Sequence, residues 1–292
     1  MNWLVFAFIA LAFSSTAAIL QKRALAHEHT LEYLVVRGAF TVPILLAATT
    51  VIDYQMTWPA FIFCCLTAFL AAAGMIHRYH ALKHAPISTV EPLLNTIPLL
   101  VTILAFLILG EAPTTINMIA ILLIVVGAYT LELDTSTLSV LEPVKNIFLS
   151  TSHLTVIIAA GFFAAANIVD RFTLTTYLDP WSYLITVGIL LQVTFTAWHA
   201  YKYNLENITS VLTNNWAYIL PPALCILAFK LSFFYALELT NAGVVVAIIQ
   251  LKSFITTVAG GNIFDEDNLY QKSLACLIMA AGAAIIAYYQ PK

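Results

Sequence analysis

The chain has 292 residues, 61 % of them apolar and only 9 % charged, against roughly half apolar and a quarter charged in a soluble domain. That balance marks a membrane protein and leaves almost nothing for a soluble domain. The formal net charge of −3 comes without any basic block, which excludes nucleic acid as a partner.

A helix needs about 20 apolar residues to cross some 30 Å of hydrocarbon. Runs of that kind lie near residues 2 to 21, 31 to 50, 59 to 82, 86 to 109, 114 to 132, 154 to 174, 181 to 200, 215 to 238, 242 to 262 and 269 to 289. The first has no positive residues before it, and Lys22 and Arg23 follow it. It therefore reads as a span and not as a signal peptide. The fold class expected is an all-α membrane protein of about ten transmembrane helices. Cys64, Cys65, Cys225 and Cys276 all fall inside apolar runs, as small core residues with no disulfide role.

The stretch from His80 to Thr130 recurs. Adding 155 carries Ala81, Leu82, Val90, Thr102, Glu111, Ala120, Leu122, Gly127 and Ala128 onto Ala236, Leu237, Val245, Thr257, Glu266, Ala275, Leu277, Gly282 and Ala283 without a gap. The pairs Glu111/Glu266 and Gly127/Gly282 weigh most, since charged and helix-weakening residues are scarce in such runs. An earlier, weaker match at a shift of 148 pairs Ala17, Ala18 and Arg23 with Ala165, Ala166 and Arg171. The seven-residue difference in offset fits a longer segment around Tyr201 to Asn214. Polar residues 134–153 form the linker, leaving five spans in 1–133 and five in 154–292. Because each half has an odd number of spans, the second copy enters the membrane from the opposite face, giving an inverted repeat.

Lys22, Arg23, Arg78, Lys83, Lys145 and Lys202 fall in odd-numbered loops, against Arg171 and Lys292 in even loops and termini. The positive-inside bias puts the odd loops in the cytoplasm. Trp3, Trp58, Trp181, Trp198 and Trp216 cluster at span ends, where amphipathic rings meet the headgroups.

Tyr79-His80-Ala81-Leu82, Pro98, Leu109-Gly110-Glu111 and Gly127-Ala128-Tyr129, with Tyr235-Ala236-Leu237, Glu266 and Ala281-Gly282-Ala283 in the second half, resemble the drug/metabolite transporter superfamily in its ten-span EamA type. The second copy departs from the pattern at Ser253, opposite Pro98, and at Phe264-Asp265 before Glu266. The resemblance implies two EamA-like repeats, alternating access, a central site lined by spans 3, 4, 8 and 9, and no cofactor.

An ionisable group deep in a bilayer costs about 2.5 to 3.5 kcal/mol and so faces a cavity or a partner. Glu91 and Asn95 are four residues apart in span 4, and the 155 shift places Gln250 opposite Asn95. Paired carboxamides suit a midplane site between repeats; they equally suit polar glue between helices. Lys230 and Lys252 lie deep in spans 8 and 9. Two such cations favour an anionic or zwitterionic substrate, with a Glu91–Lys252 ion pair as the alternative. The place of Lys252 also resembles the lysine with which sugar-phosphate members of the superfamily hold an anion. His77, His80 and His84 share one helical face, yet a metal also needs a carboxylate or thiolate in reach, so no metal is expected. His80, with Tyr235 opposite it in the repeat, is expected to line the cavity. Glu91, His77 and His80 are the candidates for proton coupling. Asn167 in span 6 is a further cavity candidate, and Arg37 in span 2 is expected to pair with Glu32.

The function expected is a secondary transporter of a small polar metabolite, an amino acid, organic anion or related zwitterion, with protons as the candidate coupling ion. Its partners are that substrate and the lipid bilayer, and it works as a monomer or homodimer. Minimal tails and short loops suit a bacterial inner membrane. An intramembrane enzyme acting on lipid head groups through His77, His80 and His84 is the alternative. It lacks the clustered catalytic groups such chemistry needs, so no enzyme is expected.

Overall fold

The computed structural model describes residues 2–26, 28–84, 90, 94, 97–132, 151–205 and 207–252, together with isolated positions between 255 and 289. Its elements are α1 (Trp3–Leu25), α2 (Thr30–Ala48), α3 (Trp58–His84), α4 (Ile97–Leu104, extended by a π-helical turn Ala105–Leu109), α5 (Thr115–Glu132), α6 (Thr151–Thr176), α7 (Pro180–Tyr203), α8 (Ile208–Asn214), α9 (Trp216–Leu239) and α10 (Ala242–Gln250). All regular elements among the described residues are helical. Six helices there are long and apolar enough to cross a membrane: α1, α2, α3, α6, α7 and α9. Two shorter apolar helices, Ile97–Leu109 and Thr115–Gly127, accompany them. Most of the last expected span, 269 to 289, and residues 134–150 of the linker lie outside the described residues. Helix α6 opens at Thr151, so the end of the expected linker is helical.

Local chemistry sets the helix ends. Asn2 accepts from the Leu4 amide at 3.1 Å, and Lys22 and Arg23 occupy the last turn of α1, against the negative end of its dipole. Asp179 accepts from the amides of Trp181 (2.9 Å) and Ser182 (3.1 Å), with Pro180 at the first helical position of α7. Gly110 stops α4 with φ 69°, a left-handed turn that suits glycine. The extra segment expected near Tyr201 to Asn214 is a reversal at Asn204 (φ 51°) leading into α8.

The two halves interleave. The most extensive pairings among described helices are α1 with α9 and α3 with α6; α7 packs on both α2 and α3, and α4 packs on α6 and α10. Small residues permit this closeness. A Cβ on Gly74 would meet the Phe163 ring at 2.9 Å, and one on Gly38 would overlap the Gln192 side chain. Phe8, Phe69, Leu107 and Val193 point outward, as acyl-chain contacts require. Cys65 also faces outward while Cys64 is buried, so only one of this adjacent pair is the core residue expected of both. At span ends, Trp58, Trp198 and Trp216 are exposed, in keeping with an aromatic belt.

Candidate functional site

Where the interleaved helices diverge they enclose a cavity of about 140 Å³. One water needs only about 10 to 15 Å³ measured in this way, so there is room for several waters or a small metabolite. Helices from both halves build its wall: Gln21 from α1, Arg37 from α2, Arg78 and Tyr79 from α3, Asn167 from α6, Lys230 from α9 and Lys252 beyond α10. Four of these are cations, and no carboxylate lies among the described lining residues.

A hydrogen-bonded chain fixes two of the cations. Tyr79 Oη accepts from Gln21 Nε2 at 2.8 Å and from Arg37 Nη1 at 3.1 Å. Gln21 Oε1 in turn accepts from Arg78 Nη1 at 3.1 Å. Three helices are thereby cross-linked through neutral groups, so the guanidinium charge of Arg37, 7 % exposed, is oriented without being cancelled. Among the described residues it also contacts Met75 Sδ, at 3.9 Å. Glu32 does not pair with it. That carboxylate accepts from Asn207 instead, at 3.4 Å, because five residues turn a helix by about 140° beyond a full circle and put Glu32 and Arg37 on different faces.

Lys230 lines both this cavity and a second one of about 80 Å³, as Arg37 and Asn167 also do. Its Nζ sits 5.2 to 5.7 Å from the ring centroids of Phe234, Phe233 and Phe229 on its own helix. Aromatic faces offset part of the desolvation of an ammonium, each contributing about 0.5 to 2 kcal/mol. The second cavity also shows Arg37, Asn167, Gln192 and Asp170. Asp170 is 2 % exposed; its Oδ1 lies 2.6 Å from the Tyr183 hydroxyl, which is 2.9 Å from Thr67 Oγ1.

Of the residues singled out in the sequence, Lys230, Lys252 and Asn167 are thus brought to one cavity. His80 is not. It is exposed near the end of α3, its ring 4.4 Å from that of His84, and it lines neither cavity. Tyr235 is also turned away, stacked on Phe6 with centroids 4.9 Å apart. His77 stacks on Phe162 at 6.1 Å, so the three histidines share a face without converging. Glu91, Asn95 and the side chain of Gln250 lie outside the described residues, although Leu94 beside them lines the cavity. Sequence reading missed Asp170, Tyr183, Gln21 and the cavity roles of Arg37, Arg78 and Tyr79. For Asp170 the signal existed, a carboxylate inside the apolar run 154 to 174.

Away from the cavities, Glu111 meets Arg171 at 2.8 Å. Arg171 Nη1 also donates to the carbonyls of Leu237 and Glu238, at the end of α9, while Glu111 Oε2 accepts from the Ala242 amide at 3.3 Å, at the start of α10. Arg171 is therefore part of α6 and no loop residue.

No curated protein matches the chain in sequence. A solved crystal structure superposes with a TM-score of 0.70 at 13 % identity, covering 96 % of this chain and 94 % of the other, a likeness of fold alone. Residues 1–133 match the model of the EamA-like transporter family, a family of the drug/metabolite transporter superfamily.

Proposed function

We propose that the protein is a secondary transporter that carries a small anionic metabolite, or a zwitterion through its carboxylate or phosphate, by alternating access. The carrying observation is the gathering of Arg37, Arg78, Lys230 and Lys252 around one cavity. Arg37 and Lys230 weigh most, because Arg37 has neutral hydrogen-bond partners and Lys230 is set among aromatic rings. Buried charge is costly, and an anion entering between such groups offsets that cost. Asn167 supplies a neutral donor and acceptor on the same wall, and Glu91, Asn95 and Gln250 remain proposed members of the site from their sequence positions. His77, His80 and Tyr235 are left out of the binding set.

The further proposal, ten spans as two inverted five-span repeats over 1–133 and 154–292, is supported by matched contacts. Lys22 Nζ donates to the Leu82 carbonyl at 2.6 Å, and Arg171 donates to that of Leu237; Leu82 and Leu237 correspond under the 155 shift. Tyr33 meets Tyr79 edge-on, and Tyr183 meets Phe234 edge-on, Tyr79 and Phe234 again being 155 apart. Two such halves rocking about a central site are the expected machinery of alternating access.

The test is thermal unfolding of the detergent-solubilised protein against amino acids, organic acids, sugar phosphates, nucleotide sugars and organic cations. A ligand at 100 times its Kd stabilises by about 2.7 kcal/mol. Anions should raise the Tm, and Lys230→Gln and Arg37→Gln should abolish the rise. Stabilisation by organic cations alone would overturn the polarity assigned to the substrate.

A further inference from the structure

We propose that Asp170 is the proton-coupling carboxylate of this transporter: an anion that engages Lys230 displaces Asp170 as its countercharge, and Asp170 takes up a proton in exchange. The inference rests on the anionic substrate proposed above and adds the coupling ion and its binding residue.

Geometry carries it. Lys230 is shared by the two cavities, whereas Asp170 lines only the second. Lys230 can therefore meet an anion arriving in the larger cavity while it shares the second cavity with the carboxylate. The titratable and charged groups around Asp170 come from four helices. They are Lys230 on α9, Tyr183 on α7, Cys64 on α3 beside the neutral Thr67, and Arg37 on α2 across the same cavity. Helix α4, also packed on α6, contributes no charge. Arg171, next in sequence, is committed to Glu111 and the end of α9. Lys230 is thus the cation whose charge acts on Asp170, and Arg37, which lines the same cavity, acts on Lys230 in turn.

A buried carboxylate that shares its cation with a second anion is disfavoured as an ion. Uptake of one proton with one monoanion leaves the charge of the site unchanged. Loaded and empty forms then carry the same charge, which lets both re-orient across the bilayer. The Tyr183 hydroxyl, 2.6 Å from Oδ1, donates to the ionised carboxylate and holds it in that form until the anion arrives. Linkage is reciprocal: if the anion promotes protonation, lowering the pH tightens anion binding, by up to about tenfold per pH unit for one coupled proton.

The experiment is isothermal titration of the full-length protein with methanesulfonate and with sulfate, whose charges stay fixed across the neutral range. Running each titration in two buffers of different ionisation enthalpy counts the protons taken up per anion. Wild type should take up close to one proton per anion. Asp170→Asn, which imitates the protonated form, should still bind and take up none, with an affinity independent of pH. Tyr183→Phe keeps the carboxylate and should move the midpoint of the pH dependence upward, which keeps the proposal testable if Asp170→Asn fails to fold. Anion binding without proton uptake, uptake that persists in Asp170→Asn, or an unmoved midpoint in Tyr183→Phe overturns this inference alone. Absence of binding by either anion, together with no stabilising anion in the unfolding panel, removes the anionic substrate itself.

Discussion

Arg171 and Glu111 join four helix segments through one ion pair. The guanidinium lies 2.8 Å from the carboxylate and also serves the last carbonyls of α9, while the carboxylate takes the Ala242 amide that opens α10. Glu111 itself is positioned by Gly110, whose left-handed φ of 69° ends the π turn of α4. Both side chains are about one-seventh exposed, so the pair is neither a solvated surface contact nor a fully desolvated one. Glu111→Gln should cost about 1 to 3 kcal/mol, between the values for exposed and buried pairs. Arg171→Lys should cost less than Arg171→Ala, since it keeps the charge and loses the fork that reaches two partners. Thermal unfolding of the single and double variants checks this, and strict additivity would show that the two residues act separately.

A second prediction concerns Tyr79, whose hydroxyl accepts from both Gln21 and Arg37. Tyr79→Phe keeps the ring against Tyr33 and deletes only the shared acceptor. Leaving buried donors without a partner costs about 1 to 3 kcal/mol. More tellingly, Arg37 loses the bond that aims it, so the Tm rise produced by a stabilising anion should shrink well beyond the loss in basal stability. A variant that loses stability but keeps the full anion response would show that Tyr79 is structural alone.

These two residues also show what could be read in the sequence. The apolar runs gave the positions of α1, α2, α3, α5, α6, α7 and α9 to within a few residues, because hydrocarbon thickness sets their length. Lys230 and Lys252 stood out because charge inside an apolar run is conspicuous. The sequence places Arg171 in a loop and does not single out Asp170 because both lie near the end of their apolar run; helix α6 continues to Thr176 and encloses them. The Arg37–Tyr79 bond spans 42 positions, and no local periodicity announces such a partner. Tyr79 was visible only as part of a family motif. What it bonds became apparent once α1, α2 and α3 were set side by side.

His199 supplies a third prediction. It is wholly buried on α7, with neither ring nitrogen hydrogen-bonded among the described residues, and its ring lies 5.2 Å from that of Tyr203. Replacing an unsatisfied polar ring by an apolar one of similar shape is neutral or stabilising. His199→Phe should therefore leave the Tm unchanged or raise it, by an amount equivalent to about 1 kcal/mol. A marked fall in Tm would show that the imidazole holds a polar partner such as an internal water.

Next to it, His29 caps α2 from outside the spans, accepting from the Leu31 amide at 3.4 Å. Burial, followed by the charge of Lys83, lowers its pKa below the ordinary histidine value of 6.5. The unfolded chain then binds the proton more readily than the folded one. The stability from neutral His29 is complete above about pH 6.5 and is lost as the pH falls below it. His29→Asn keeps a capping acceptor and should flatten the decline in Tm on the acid side of neutrality. An unchanged acid profile would assign that decline to other groups.

The sharpest packing test compares two glycines inside helical segments. A Cβ at Gly282 would stand 2.7 Å from the Ala120 carbonyl oxygen and 2.8 Å from Ile124 Cγ1, whereas one at Gly161 meets nothing within 4 Å. Backbone cannot yield as the end of a flexible side chain can, so Gly282→Ala must push the segment away from α5. Overpacking of this kind costs about 1 to 3 kcal/mol. Gly161→Ala should instead gain up to about 1 kcal/mol, the helix propensity of alanine over glycine with no clash against it. Opposite signs of the Tm change are expected from the same chemical substitution. If both variants were stabilised, the close approach at Gly282 would be refuted, and with it the packing reason for a glycine at that position of the repeat.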